Sequence, residues 1–129
     1  MKPHFILYVR DQQNSTKFYA EVLGFSPSLN VPGMTEFHLG PHCVLGIMPE
    51  AGIKRLLADK IRDPALGSGI PRAELYLLVE NPSELHLRAL HAGAQELSPL
   101  NVRDWGHRAS YVLDPDGHVV AFAEPLANK

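Results

Sequence analysis

Apolar and polar positions along the chain change period several times, and the changes come in the same order twice. "HFILYVRD" (4–11) and "ELYLLVEN" (74–81) are short runs, apolar on both faces, that end in a charge followed by Asp or Asn. Runs of this length and bounding predict strands. After each, the pattern lengthens to that of a helix. Asn81-Pro82-Ser83-Glu84 offers an N-cap, a proline at the first helical position and a glutamate at the third, a capping-box arrangement. Leu85, Ala89 and Ala92 follow at helical spacing, and Gly93 is the expected stop. In the first repeat Asp11 is the expected cap, Phe18, Tyr19, Val22 and Leu23 form the buried face, and Gly24 ends it.

Short strand signals punctuated by turns come next in both halves. The first half has "FSPSLNV", "MTEFHL" and "CVLGIM", broken at Pro32-Gly33 and Gly40-Pro41. The second has "QELSPLNV", "RASYVL" and "HVVAFA", broken at Asp104-Trp105-Gly106 and at Asp114-Pro115-Asp116-Gly117. Each half therefore reads β-α-β-β-β. The expected organisation is one α+β domain over 1–129, made of a first module (1–48), an arm (49–73) and a second module (74–129). The arm is too long for a turn, so it is expected to pack against the fold or cover part of it. In it Ile53, Leu56, Leu57 and Ile61 fall on one side of a short helix. "DPDG" reads as a hairpin turn, with Pro115 fixing one dihedral and Gly117 supplying a positive one. It is not a calcium loop, because Tyr111-Val112-Leu113 stand where alternating acidic ligands would be needed.

Composition narrows the function classes. The chain is 45% apolar and 20% charged with a net charge of −2, which gives no footing for nucleic acid or an acidic membrane surface. The single cysteine, Cys43, excludes an internal disulfide and fits a reducing compartment; a buried, inert thiol is expected. No run is long enough to span a bilayer, and the N-terminal apolar stretch is too short for a secretory signal. A small, cytoplasmic protein follows. No P-loop, dinucleotide fingerprint or nucleophile–histidine motif is present.

"YVRDQQNSTKFYAEVLGF" and "WGHRASYVLDPDGHVVAFAEP", in this order and over nearly the whole chain, resemble the opening and closing segments of the vicinal oxygen chelate superfamily. That group includes glyoxalase I, bleomycin- and fosfomycin-resistance proteins and extradiol dioxygenases. The resemblance implies two β-α-β-β-β modules forming a curved mixed sheet around a cleft, commonly in a homodimer. It also implies four metal-ligand positions, which in this sequence read His4, Gly46, Glu74 and Ala121. Gly46 and Ala121 have no donor, and a metal centre of this kind needs three or more protein ligands. His42 and His118 belong to turns, Glu50 lies beyond Pro49, and alternation puts Glu124 on the face opposite Ala121.

The resemblance is therefore closest to the metal-free, bleomycin-resistance-like branch, with no catalytic residue and no cofactor. The two small residues are expected to leave room in the cleft. Around them stand Ile6, Tyr8, Tyr76, Leu78, Val44, Met48, Val119 and Ala123, mostly apolar with two phenols, which is the composition of a small-molecule pocket. It is equally the composition of a closed core in which Tyr8 and Tyr76 pair. The expected ligand-binding residues are Tyr8, Met48, Tyr76, Trp105, Arg108 and Ala121. Trp105, in a glycine-containing loop, faces a ligand or partner chain, or else covers its own domain edge. Arg108 either contacts an anion or stays a strand residue. Lys54 and Arg55 lie on a solvated helix face or steer an anionic ligand. His4 and Glu74 read as an ion pair, or as the remnant of a Zn, Ni, Mn or Fe site in a metal-dependent lyase, isomerase or dioxygenase. A structural or regulatory dimer is the third alternative. The expected function is reversible binding of an aromatic or amphipathic small molecule.

Overall fold

In the first half, the apolar run from His4 to Val9 becomes strand β1, and helix α1 (Gln12–Leu23) follows. Asp11 caps the helix as expected, its carboxylate accepting from Asn14 N at 3.0 Å, and Gly24 ends it at φ 84°. Strands β2 (Leu29–Val31), β3 (Met34–Gly40) and β4 (Cys43–Pro49) complete the repeat. The second half repeats the order with β5 (Glu74–Leu78), a helix at Pro82–His91, β6 (Gln95–Val102), β7 (His107–Leu113) and β8 (Val119–Pro125). The computed structural model describes residues 1–127. Among them no helix is long and apolar enough to cross a membrane.

The strands hydrogen-bond as two four-stranded mixed sheets, ordered β1-β4-β3-β2 and β5-β8-β7-β6, one for each β-α-β-β-β module. The reason is local: β1 pairs in parallel with β4, and β5 with β8, inside their own halves. The chain divides into two compact units, one of Met1–Ala20 with Gly24–Ser68, the other of Glu21–Leu23 with everything from Gly69 onward.

Within each unit, one sheet face carries the core. In the first, Leu45, Ile47, Phe37 and Val9 are buried there. The start of α1 is tied to that face by polar contacts: Thr16 Oγ1 lies 2.8 Å from Thr35 Oγ1, and Gln12 Nε2 donates to Thr35 Oγ1 and Val31 O. In the second unit Val112, Val120 and Phe122 are buried beneath the Pro82–His91 helix. Its Asn81 cap accepts from Glu84 N at 3.3 Å. The stripe facing the sheet includes His86, whose imidazole stands edge-on to Phe122 and lies 2.9 Å from Glu96 Oε2.

The arm is more structured than a linker. It holds helix α2 (Glu50–Leu57), which starts as soon as β4 ends, and two 3₁₀ turns, Ala58–Lys60 and Pro64–Gly67; the second-half helix is accordingly α3. The expected four-residue apolar stripe does not form. Ile53 is buried, but Leu56 is 69% exposed and Ile61 lies past the helix end. Eight residues give only about two turns, too few to hold the full stripe. Lys54 is not a steering charge: its ammonium donates to Ala58 O and Ile61 O, satisfying carbonyls at the helix end. Cys43 is half-buried at the start of β4 and not the fully buried thiol expected.

"DPDG" is the hairpin turn its sequence predicts, at the β7–β8 corner. Asp114 Oδ1 accepts from Asp116 N at 2.9 Å and His118 N at 2.8 Å, and Gly117 has φ 84°. The corner is also a docking point, because Gly69 N donates to Asp116 O. A Cβ on Gly117 would lie 2.8 Å from Gly69 Cα, whereas a Cβ on Gly69, itself at φ 82°, would meet nothing within 4 Å. Gly69→Ala should therefore cost about 1 kcal/mol from its dihedral alone, and Gly117→Ala about 2–3 kcal/mol, dihedral plus backbone clash. Urea unfolding of both variants measures the difference; equal losses would mean that the close approach carries no energy.

Candidate functional site

In a strand, alternate side chains share a face, so the register sorts the predicted site residues. On the first sheet's face away from Phe37 and Ile47, His4 pairs with Val44, Ile6 with Gly46 and Tyr8 with Met48. Glu36 stands opposite Gly46 and His38 opposite Val44 on β3. Of the expected ligand-binding residues, Tyr8 and Met48 are thus side by side. The acid beside His4 is Glu36, with Oε2 3.4 Å from His4 Nδ1; nothing in the spacing of β1 alone points to it. Gly46 does not leave open room. A Cβ there would lie 2.9 Å from Ile6 Cγ1 and 3.4 Å from Met34 Sδ, so neighbouring side chains already close over it.

On the second sheet's face away from α3, Glu74 aligns with Val119, and Tyr76 with Ala121 and Tyr111. Leu78 aligns with Ala123 and Ala109, and His107 with Pro125. Tyr76 starts on edge strand β5, yet its hydroxyl lies 2.7 Å from His107 Nδ1 on β7. To get there the side chain must cross β8 over Ala123, with Ala121 and Ala109 on its flanks. All three alanines are 0% exposed. A larger residue at any of them would lift the ring off the sheet. So the blank centre of the last strand does not leave empty space; it forms the floor on which Tyr76 lies.

The Tyr76 hydroxyl also accepts a hydrogen bond from Trp105 Nε1 at 2.9 Å. Direction follows from chemistry, because an indole nitrogen only donates. The one phenol oxygen therefore ties the loop indole to the His107 imidazole on β7. The two rings stack at 5.7 Å between centroids, and the indole lies tilted at 6.5 Å from Tyr76. Gly106, at φ 86°, turns the loop between them, and Arg103 N closes it on His107 O at 2.8 Å. Trp105 is thus anchored to its own unit and remains 54% exposed.

Arg108 is not brought to this face. It aligns with Glu124 on the α3 side, and its Nη1 donates to Glu124 Oε1 at 3.1 Å. The arginine at the aromatic face is Arg103, which the sequence reading passed over. Its guanidinium donates to Ser98 Oγ at 2.6 Å and to the carbonyls of Pro99 and Ala109, and sits 5.2 Å from the Tyr111 ring centroid. It repairs a strand edge whose register slips around Ser98 and Pro99, where a proline cannot donate. Alternation outward from His107 would have found Tyr111. Arg103 had no such signal, because the slip in β6 is not legible in its residues. Beside Tyr111, an open depression of about 440 Å³ is lined by Pro71, Ala73, Glu74, Tyr111 and Val119.

These positions do not make the metal centre the resemblance implies. Within each unit one of the two ligand positions has no donor, Gly46 in one and Ala121 in the other, and side chains cover both. Among the described residues, no three His, Cys, Asp or Glu side chains gather closely enough to hold an ion.

Burial, then the charge of Glu74 and the neighbouring Tyr76, push the Tyr111 phenol above its ordinary value; Arg103 opposes them. The raised value means the native state keeps this proton where the unfolded chain releases it. Stability is fully present below about pH 10 and is lost as pH rises through the folded value. Urea midpoints at alkaline pH should show this fall in the native protein and a shallower one in Tyr111→Phe; identical slopes would count against it. Tyr76→Phe removes an acceptor and a donor together. It should cost about 1–2 kcal/mol and red-shift the emission of Trp105, the only tryptophan; an unchanged spectrum would mean the indole bond is not held in solution.

The family model of the Glyoxalase/Bleomycin resistance protein/Dioxygenase superfamily matches residues 3–122. Solved structures share the fold. A glyoxalase-related enzyme from Fulvimarina pelagi superposes with a TM-score of 0.80 at 23% identity, covering 96% of this chain and 87% of that one. A glyoxalase/bleomycin resistance protein/dioxygenase family enzyme from Burkholderia phytofirmans gives 0.77 at 21% identity, over 95% and 97% of the two chains. A glyoxalase/bleomycin resistance protein/dioxygenase from Nocardioides gives 0.76 at 21%, over 100% and 85%. No curated protein sequence matches. The family match over nearly the whole length agrees with the repeated β-α-β-β-β order, and the chain belongs to the Glyoxalase/Bleomycin resistance protein/Dioxygenase superfamily.

Proposed function

We propose that this protein binds a small aromatic or amphipathic molecule on the aromatic face of its second unit, and does so without a metal and without transforming it. One observation carries the reading: Trp105 is held by a hydrogen bond to Tyr76 while much of its indole stays exposed. An exposed tryptophan loses little on a flexible loop if it has no task. Fixing it beside Tyr76, His107 and Tyr111 presents a pre-organised stacking surface at small entropic cost on binding. The polar groups around it are already engaged with one another, which suits recognition better than acid–base turnover. Apolar area, aromatic faces and a few polar anchors suffice for a sequestering protein.

A thermal-shift screen with aromatic and polycyclic compounds tests this, since a ligand of the native state raises apparent stability. Compounds that shift the transition should also change Trp105 emission, and Trp105→Ala should weaken them by about tenfold or more, the usual scale for an aromatic anchor. If no compound shifts the transition, or if the shifts survive Trp105→Ala unchanged, the aromatic face is not the binding site.

A further inference from the structure

We infer that the ligand carries a positive charge, with Glu74 and the tyrosine faces beside it forming a subsite for an organic ammonium group. The inference rests on the binding reading above and specifies its chemistry. Glu74 opens edge strand β5, exposed, on the same face as Tyr76 and Tyr111. It lines the depression of about 440 Å³, where among the described residues its carboxylate is the one formal charge and Tyr111 the one other polar side chain. That volume suits a small organic group. A divalent ion would instead demand three or more protein ligands gathered around it, and a single carboxylate does not meet that demand. An ammonium group does not need them: one counter-ion and aromatic faces are enough.

Tyr111 shows that its ring accepts a cation, because the Arg103 guanidinium already stands over it. Arg103 does not turn the site toward anions. Its Nε and Nη2 are engaged with Ser98, Pro99 and Ala109, and at the Tyr111 phenol the influence of Glu74 outweighs that of Arg103. An anionic head group entering the depression would meet Glu74 and find no lining cation. A cationic one would meet its counter-ion while its apolar body reached toward Tyr76 and Trp105.

Three probes share one phenyl ring and differ in the head group: phenethylammonium, phenethyl alcohol and hydrocinnamate. Titrations of the intact protein at neutral pH and low salt are followed by Trp105 emission and amide chemical shifts. Phenethylammonium should bind about tenfold more tightly than the alcohol, with hydrocinnamate weakest, and added salt should narrow the gap. In Glu74→Gln, whose site is exposed and whose folding the amide spectrum checks, the ammonium and alcohol affinities should converge. Tyr111→Phe, which keeps the ring, should retain the ammonium preference. Equal binding of ammonium and alcohol, or a preference that survives Glu74→Gln, overturns the charge assignment while leaving aromatic binding intact. If none of the three binds, both the assignment and the binding reading fall.

Discussion

Each unit of this protein has one four-stranded sheet whose buried residues gather on one face. That constraint organises the rest. Alternation sends every second side chain into the core, where Phe37 and Ile47 in one unit and Val120 and Phe122 in the other must be apolar and close-packed. Only the opposite face is left to carry chemistry. The residues there are the ones that alternate with the core: His4, Tyr8 and Glu36 in the first unit, Glu74, Tyr76, His107 and Tyr111 in the second.

The two units use that remaining face differently, and small residues decide how. At Gly46 the missing Cβ is filled at once by Ile6 and Met34, so the glycine buys close packing and no cavity. At Ala121, Ala123 and Ala109 the small side chains let a tyrosine lie across a whole strand. The hydroxyl that arrives at β7 holds an indole on one side and an imidazole on the other. A glutamate at position 121 would stand where the Tyr76 ring begins its crossing. The absence of a ligand there and the presence of the aromatic cluster are therefore one structural fact.

Much of this was legible in the chain. The Asp11 and Asn81 caps, the Gly24 stop, the β-α-β-β-β order and the "DPDG" corner depend on local dihedrals and on hydrogen bonds within a few residues. So does the opposition of Ala121 and Glu124, which follows from a period of two. The candidate site was half legible. Tyr76 and Ala121 could be placed on one face and Trp105 in a loop, but Arg108 could not be separated from them without the register of β7 against β8. Tyr111 was within reach of alternation from His107, whereas Arg103 was invisible because a slip at Ser98 and Pro99 resets the pairing of β6 just before it. Ile61 was misplaced because a helix of eight residues ends before its apolar stripe is complete.

By itself, then, the sequence determined the elements, their order, the superfamily and which positions lack a metal donor, since these rest on near neighbours and on the chemistry of single side chains. Only the tertiary structure decided what fills the places where donors are missing. That outcome depends on how far a side chain from one strand reaches over its neighbours, as Tyr76 does over the alanines toward His107. A reach of this kind spans three strands brought together from residues 74–125, and no local pattern encodes it.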